Sequence, residues 1–231
     1  MYNMILLPER KQPTKEILES FLEPVVGRDN FEVDANEGGA VITLLGKVFS
    51  LIYMDEPTPL AEGQPELSHQ AHLIISNLNK PQSVREGINQ QIALERFLLL
   101  ICHEFAGEWV YWSVSDKATN VEQLYSIVDQ ASKFYQEGPE APSDLLPVNM
   151  WVSLESVPEG SVIQGFADLG EMDVLIKHGT ENIETMKVVA AYITQHIFDY
   201  GRFFSPDETL SLPDGQPMSL QVIDNRLVLE L

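Results

Sequence analysis

The sequence predicts an α+β fold: mixed, largely antiparallel sheet packed against about four helices. Three observations carry this. Four long stretches repeat apolar residues every three or four positions and have recognisable starts or stops. Many short runs rich in β-branched and aromatic residues lie between them. Helices and strands do not alternate strictly as βαβ, and several neighbouring strands are spaced as hairpins, which favours an antiparallel sheet.

The elements follow in order. Met1 to Leu7 is an apolar strand ended by Pro8. A helix runs from about Thr14, its N-cap, to Val25, with Ile17, Leu18, Phe21 and Leu22 on one face and Gly27 as its stop. Phe31, Val33 and Ala35 alternate with polar residues, and a turn at Glu37-Gly38-Gly39 leads into a strand from Val41. Val48 to Met54 is nearly all apolar and is expected to be central. Pro57, Pro59, Gly63 and Pro65 then impose an acidic loop, and His72 to Asn77 is a further strand.

The longest helix opens at Ser83, with Glu86 completing a capping box, and ends near Gly107. Its second half is apolar on most sides, which predicts a place at the centre of the fold. Glu108 to Ser115 is an aromatic strand, and Thr119 with Glu122 offers a second capping box for a helix carrying Leu124, Ile127, Val128, Ala131 and Phe134. After a Pro-rich stretch at 138–147, Val148 to Leu154 is a strand. Val162 to Ala167 and Met172 to Lys177 form a hairpin, and a helix spans roughly Glu181 to Tyr200. Met218 to Ile223 and Leu227 to Leu231 pair around Asp224-Asn225. The expectation is one domain over residues 1–231, with two subdomains on a shared sheet, about 1–138 and 145–231, as the alternative.

Charge bounds the function. The 231 residues hold 35 acids and 14 Lys plus Arg, a net charge of −21. Residues 1–115 hold 16 acids and 8 bases, and residues 116–231 hold 19 and 6, so the excess is no acidic tail. Such a surface repels nucleic acid and anionic membrane and attracts basic partners. The single Cys102 excludes an intrachain disulfide framework and lies in the apolar run Phe97 to Phe105, where an inert thiol is expected. The first residues lack the charged start and long apolar stretch of a signal peptide, and no run approaches the length of a membrane span, so a cytoplasmic location is expected.

The usual chemical motifs are missing. No Gly-rich phosphate loop and no G-x-S-x-G elbow occurs. His69 and His72, with Glu62 and Glu66 upstream, are the best metal candidates, but three-residue spacing at a strand entrance points them to opposite faces. Acid pairs at Asp55-Glu56, Asp207-Glu208 and Glu171 with Asp173 are expected by chance among so many carboxylates. Neither a catalytic centre, a bound cofactor nor a metal is assigned. Alternation in the aromatic strand puts Trp109 and Tyr111 on one face and Trp112 on the other, one of them core and the other a possible interface anchor.

Four segments carry a resemblance. They are Met54-Asp55-Glu56-Pro57-Thr58-Pro59 followed by His69-Gln70-Ala71-His72-Leu73-Ile74-Ile75-Ser76; Leu146-Pro147-Val148-Asn149-Met150-Trp151-Val152; Gly165 to Asp173; and Tyr192 with Gly201 to Leu210. Their order and spacing resemble the bacterial family catalogued as domain of unknown function 4261, best over about residues 145–215. Near the last motif this chain has Asp207-Glu208-Thr209 where the family reads closer to Gly-Asp-Thr. The resemblance brings no activity with it; it implies genes near polymorphic toxins and secretion systems.

These readings converge on an acidic protein-binding protein, expected to be an immunity protein that neutralises a bacterial toxin by occluding its basic active site. An adaptor within a larger assembly is the alternative, with a homo-oligomer left open. An enzyme using His69, His72 and Glu171 is the third reading. The candidate partner-binding residues are Asp55, Glu56, Glu62, Glu66, Asp207 and Glu208.

Overall fold

A computed structural model describes residues 2–60, 67–137, 145–177, 183–202, 210–211, 215, 217–223 and 226–230. The fold is α+β, with two mostly antiparallel sheets and four substantial helices. The first sheet has the order β2-β3-β4-β5-β1-β6-β7, from β1 (Asn3–Leu7), β2 (Phe31–Asn36), β3 (Gly39–Leu44), β4 (Lys47–Met54), β5 (Ala71–Asn77), β6 (Trp109–Trp112) and β7 (Lys117–Asn120). The second has the order β11-β12-β13-β10-β9-β8, from β8 (Ser153–Val157), β9 (Gly160–Gln164), β10 (Val174–Lys177), β11 (Leu210–Ser211), β12 (Pro217–Ile223) and β13 (Arg226–Glu230). The described residues give the two sheets no strand in common; β1 to β7 lie before the Pro-rich stretch and β8 to β13 after it.

The helices are α1 (Lys15–Val26), α2 (Val84–Phe105), α3 (Val121–Glu137), the single turn α4 (Val148–Trp151) and α5 (Ile183–Tyr200). Their starts follow local chemistry. Thr14 Oγ1 accepts from Ile17 N–H at 3.3 Å, and Ser83 Oγ accepts from Glu86 N–H at 3.2 Å. Glu86 reaches back to the backbone N–H of Gln82 at 2.9 Å, one residue before the cap. The α3 box is shifted by one from the expected Thr119–Glu122 pair. Asn120 and Gln123 exchange the two bonds at 2.8 and 3.0 Å, while Thr119 stays in β7 and accepts from Trp112 Nε1–H at 2.9 Å. The buried indole needs that acceptor, and this decides the register.

Other expectations are corrected. The aromatic strand stops at Trp112 and turns back into β7, with Asp116 in the left-handed region (φ 54) accepting the Tyr111 hydroxyl. Residues 148–151 form a helical turn, and the strand begins at Ser153. The expected pair across Asp168-Leu169-Gly170 exists as β9 and β10, with Ile163 opposite Val174, but a 3-10 turn at Phe166–Leu169 links them. At the end of α2 the left-handed residue is Ala106, and Gly107 is needed for another reason: a Cβ there would lie 2.3 Å from Ile5 Cγ2. β12 and β13 pair as expected, β13 also lying parallel to β10; the turn Asp224-Asn225 and the start of the α5 expectation at Glu181 fall outside the described residues.

One apolar cluster joins both halves. It takes Ile5, Leu51, Leu73 and Trp112 from the first sheet, Ile163, Val174, Ile176 and Leu229 from the second, and inward residues of α1, α2, α3 and α5. Helix α2 runs through it, buried from Val84 to Phe105 on most sides, as its composition predicts. Two contacts bind it to the second half. Gly87 lies against the 3-10 turn so closely that a Cβ would sit 2.4 Å from Leu169 Cα. Glu95, fully buried, accepts from Trp151 Nε1–H at 2.9 Å through Oε1, while its Oε2 has no partner. Burial pushes the Glu95 carboxyl up to about 8, so it is protonated at neutral pH.

Two outcomes follow for stability. Gly87→Ala should destabilise by about 1–3 kcal/mol in urea unfolding because backbone must move, whereas helix propensity alone would give a gain of about 1 kcal/mol. A carboxyl held above its ordinary value favours folding fully below that value and loses this contribution as pH rises toward about 8. Denaturation midpoints should therefore fall from about pH 5 to pH 8 with a Glu95 contribution of up to about 1.4 kcal/mol per pH unit, and Glu95→Gln should remove that slope.

Candidate partner-binding face

Strand alternation gives the first sheet two unlike faces. The inner face carries Ile5, Leu7, Phe49, Leu51, Leu73, Ile75 and Val110 into the core. The outer face reads across the register as Ile52, Ile74, Met4 and Tyr111, with Leu6 and Trp109 beside them. Met4, Leu6 and Tyr111 form a second apolar cluster with Leu60, Leu67, Ile74 and Trp109. Trp109 and Tyr111 therefore share the outer face and Trp112 is core, as alternation predicts.

Toward β2 this face changes character. Val41 and Ile52 are 42% and 47% exposed, and Tyr2 on the β1 side is 43% exposed. β4 is thus an interior strand, but its apolar run is only half buried, because nothing among the described residues covers Ile52. The edge strand β2 presents exposed Glu32 and Asp34 on this same face, alternating with buried Phe31 and Val33. Neither carboxylate has an ion-pair or hydrogen-bond partner among the described residues. The result is a mixed face, with Val41 opposite Ser50 and Ile52 opposite Gly39, running into an acidic edge.

The histidines hold the adjoining loop. Thr58 N–H donates to His69 Nε2 at 3.0 Å, and His69 Nδ1 donates to the Leu67 carbonyl at 2.8 Å. An acceptor Nε2 requires the neutral ring with its proton on Nδ1. His72 Nδ1 donates to the Glu56 carbonyl at 2.9 Å, and burial keeps His72 below its ordinary value. Both ring nitrogens of His69 are engaged, so it has no lone pair left for a metal. The described residues contain no group of three His, Cys, Asp or Glu placed to hold an ion.

Of the six candidate partner residues, Asp55 and Glu56 are exposed beside this loop, Asp55 already bonded to Arg10 Nε at 3.3 Å and to the Tyr53 hydroxyl at 3.2 Å. Glu62, Glu66, Asp207 and Glu208 lie outside the described residues. The structure does not assemble His69, His72 and Glu171. The histidines sit at the start of β5, whereas Glu171 follows Gly170, which packs on Pro81 beyond the other end of that strand. Seven extended residues separate those ends by roughly 20 Å.

Burial pushes the Cys102 thiol up to about 12, which keeps it protonated at neutral pH. A groove of about 650 Å³ between α1 and α2 is lined by Ser20, Phe21, His103 and Glu104 among others, yet these polar residues make no hydrogen bonds with one another. No helix among the described residues is long and apolar enough to cross a membrane. No family model, no curated protein and no solved structure matches the chain.

Sequence reasoning missed Glu32, Asp34, Val41 and Ile52. The β2 alternation was visible and names the first two; nothing in the apolar run of β4 marks Ile52 as exposed. If His69 anchors the loop as described, His69→Phe should speed hydrogen exchange of the Thr58 amide about fivefold, the factor for a lost bond of about 1 kcal/mol, as read by exchange mass spectrometry.

Proposed function

We propose that this is a cytoplasmic protein-binding protein that captures a basic partner on the outer face of the first sheet, and that it acts as an immunity protein against a bacterial toxin. The observation that carries the reading is exposed Val41 opposite Asp34, with Ile52 exposed on the same face and Glu32 and Asp34 unpartnered among the described residues, on a chain of net charge −21. Apolar area supplies affinity once desolvated, and the surrounding carboxylates steer a basic surface onto it. A toxin that handles nucleic acid or nucleotides needs a positive cleft, and an acidic face of this kind occludes one. The resemblance to domain of unknown function 4261, with its toxin and secretion neighbourhoods, supports the toxin as partner.

The test takes the product of the neighbouring gene as partner and measures association by stopped flow. The association rate constant should fall at least tenfold between 50 mM and 500 mM NaCl, with a smaller change in dissociation. Co-expression should restore growth to cells making that product. An association rate that ignores salt would remove the electrostatic basis, and failure to restore growth would remove the toxin.

A further inference from the structure

We infer that β2 receives an extended, lysine- or arginine-bearing strand of the partner, which adds an eighth strand to the first sheet. This rests on the protein-binding reading above and names the form the partner presents.

β2 is an end strand, and its outward N–H and C=O groups have no strand beside them among the described residues. Its six residues span roughly 20 Å, enough for a complete ladder with an incoming segment. Glu32 and Asp34 are two residues apart, exposed and on one face. Their cross-strand neighbours in β3 are Thr43 and Val41, so no cation from the sheet answers them. Arg28 precedes the strand by three residues. It lies 5.1 Å from the Phe31 ring and is already bonded to Glu19 at 3.2 Å. A strand laid beside β2 would place alternate side chains directly opposite these carboxylates, at the roughly 5 Å Cβ separation of cross-strand pairs. Lys or Arg there is attracted, while the alternate residues of the added strand turn to the opposite face, the one that carries Phe31 and Val33.

The same charges decide against a second copy. Two β2 strands paired across a twofold axis would bring four carboxylates together, and like charges in cross-strand positions are destabilising. The other edges fit less well. β7 has four residues and its Lys117 ammonium donates to the Asn149 carbonyl; β11 has two residues; the Glu155 carboxylate of β8 already accepts from Gln164.

The probes are three fluorescent eight-residue peptides: lysine and valine alternating, the same residues in two blocks, and the alternating peptide N-methylated at every second amide. Anisotropy titration should show the alternating peptide binding at least tenfold tighter than either control. E32Q with D34N should weaken it at least tenfold, whereas E122Q with E159Q, remote exposed acids, should change it less than twofold. Exchange of the β2 amides should slow on binding. Equal affinity for all three peptides, equal loss from the remote pair, or unprotected β2 amides would each overturn strand addition. If the alternating peptide does not bind while the basic partner still associates in a salt-dependent way, strand addition falls and the protein-binding reading stands.

Discussion

Burial of α2 is the constraint on which the rest of the architecture depends. The helix contacts β1, β4 and β5 of the first sheet, α3 beside it, and the 3-10 turn that links β9 to β10. An amphipathic helix could serve one sheet; a helix apolar on most sides must be surrounded. The second half of the chain supplies the missing wall, and Gly87 and Glu95 mark where it meets the helix. Gly87 allows backbone to approach backbone. Glu95 is a polar group at a seam of aromatic packing, where Trp151 lies 6.0 Å from Phe198, and it is tolerated there only because it is neutral and receives the indole N–H. A chain that closes around one helix in this way favours a single arrangement of its halves, since no shifted contact satisfies both residues.

Because the inner face of the first sheet is committed to that core, its outer face is free to vary. Register fixes which residues appear there, but no packing requirement fixes their chemistry. Here it is neither the evenly polar surface of a solvated sheet nor a sealed apolar layer. The β5-β1-β6 side is shielded by Leu60 and Leu67, and the histidines tie the chain on either side of them to the sheet. The β2-β3-β4 side is left open and ends in acids. A graded face of this kind offers both apolar area and charge at one surface.

Much of the fold was legible because it is written in local chemistry. The caps at Thr14 and Ser83, the stop at Gly27, the alternation in β2 and β6 and the buried run of α2 all act over a few residues. What was illegible depends on distant partners. Thr119 looks like a cap until Trp112 claims its oxygen. Residues 148–151 have β-forming composition, yet Trp151 must turn to reach Glu95 from 56 positions away. Ile52 resembles core because an apolar strand reads alike whether one face or both are covered. The site was legible in charge and in the alternation of Glu32 and Asp34, but its position required the sheet order, which places β2 at an edge.

Cys102 has a practical consequence. The only sulfhydryl in the chain is enclosed by the helix that organises the core and is held in its unreactive form. To maleimides and disulfide reagents, the native surface is chemically blank. A cysteine introduced at any exposed position would be the sole reactive handle, so spectroscopic labels could be attached site by site without first replacing a natural one.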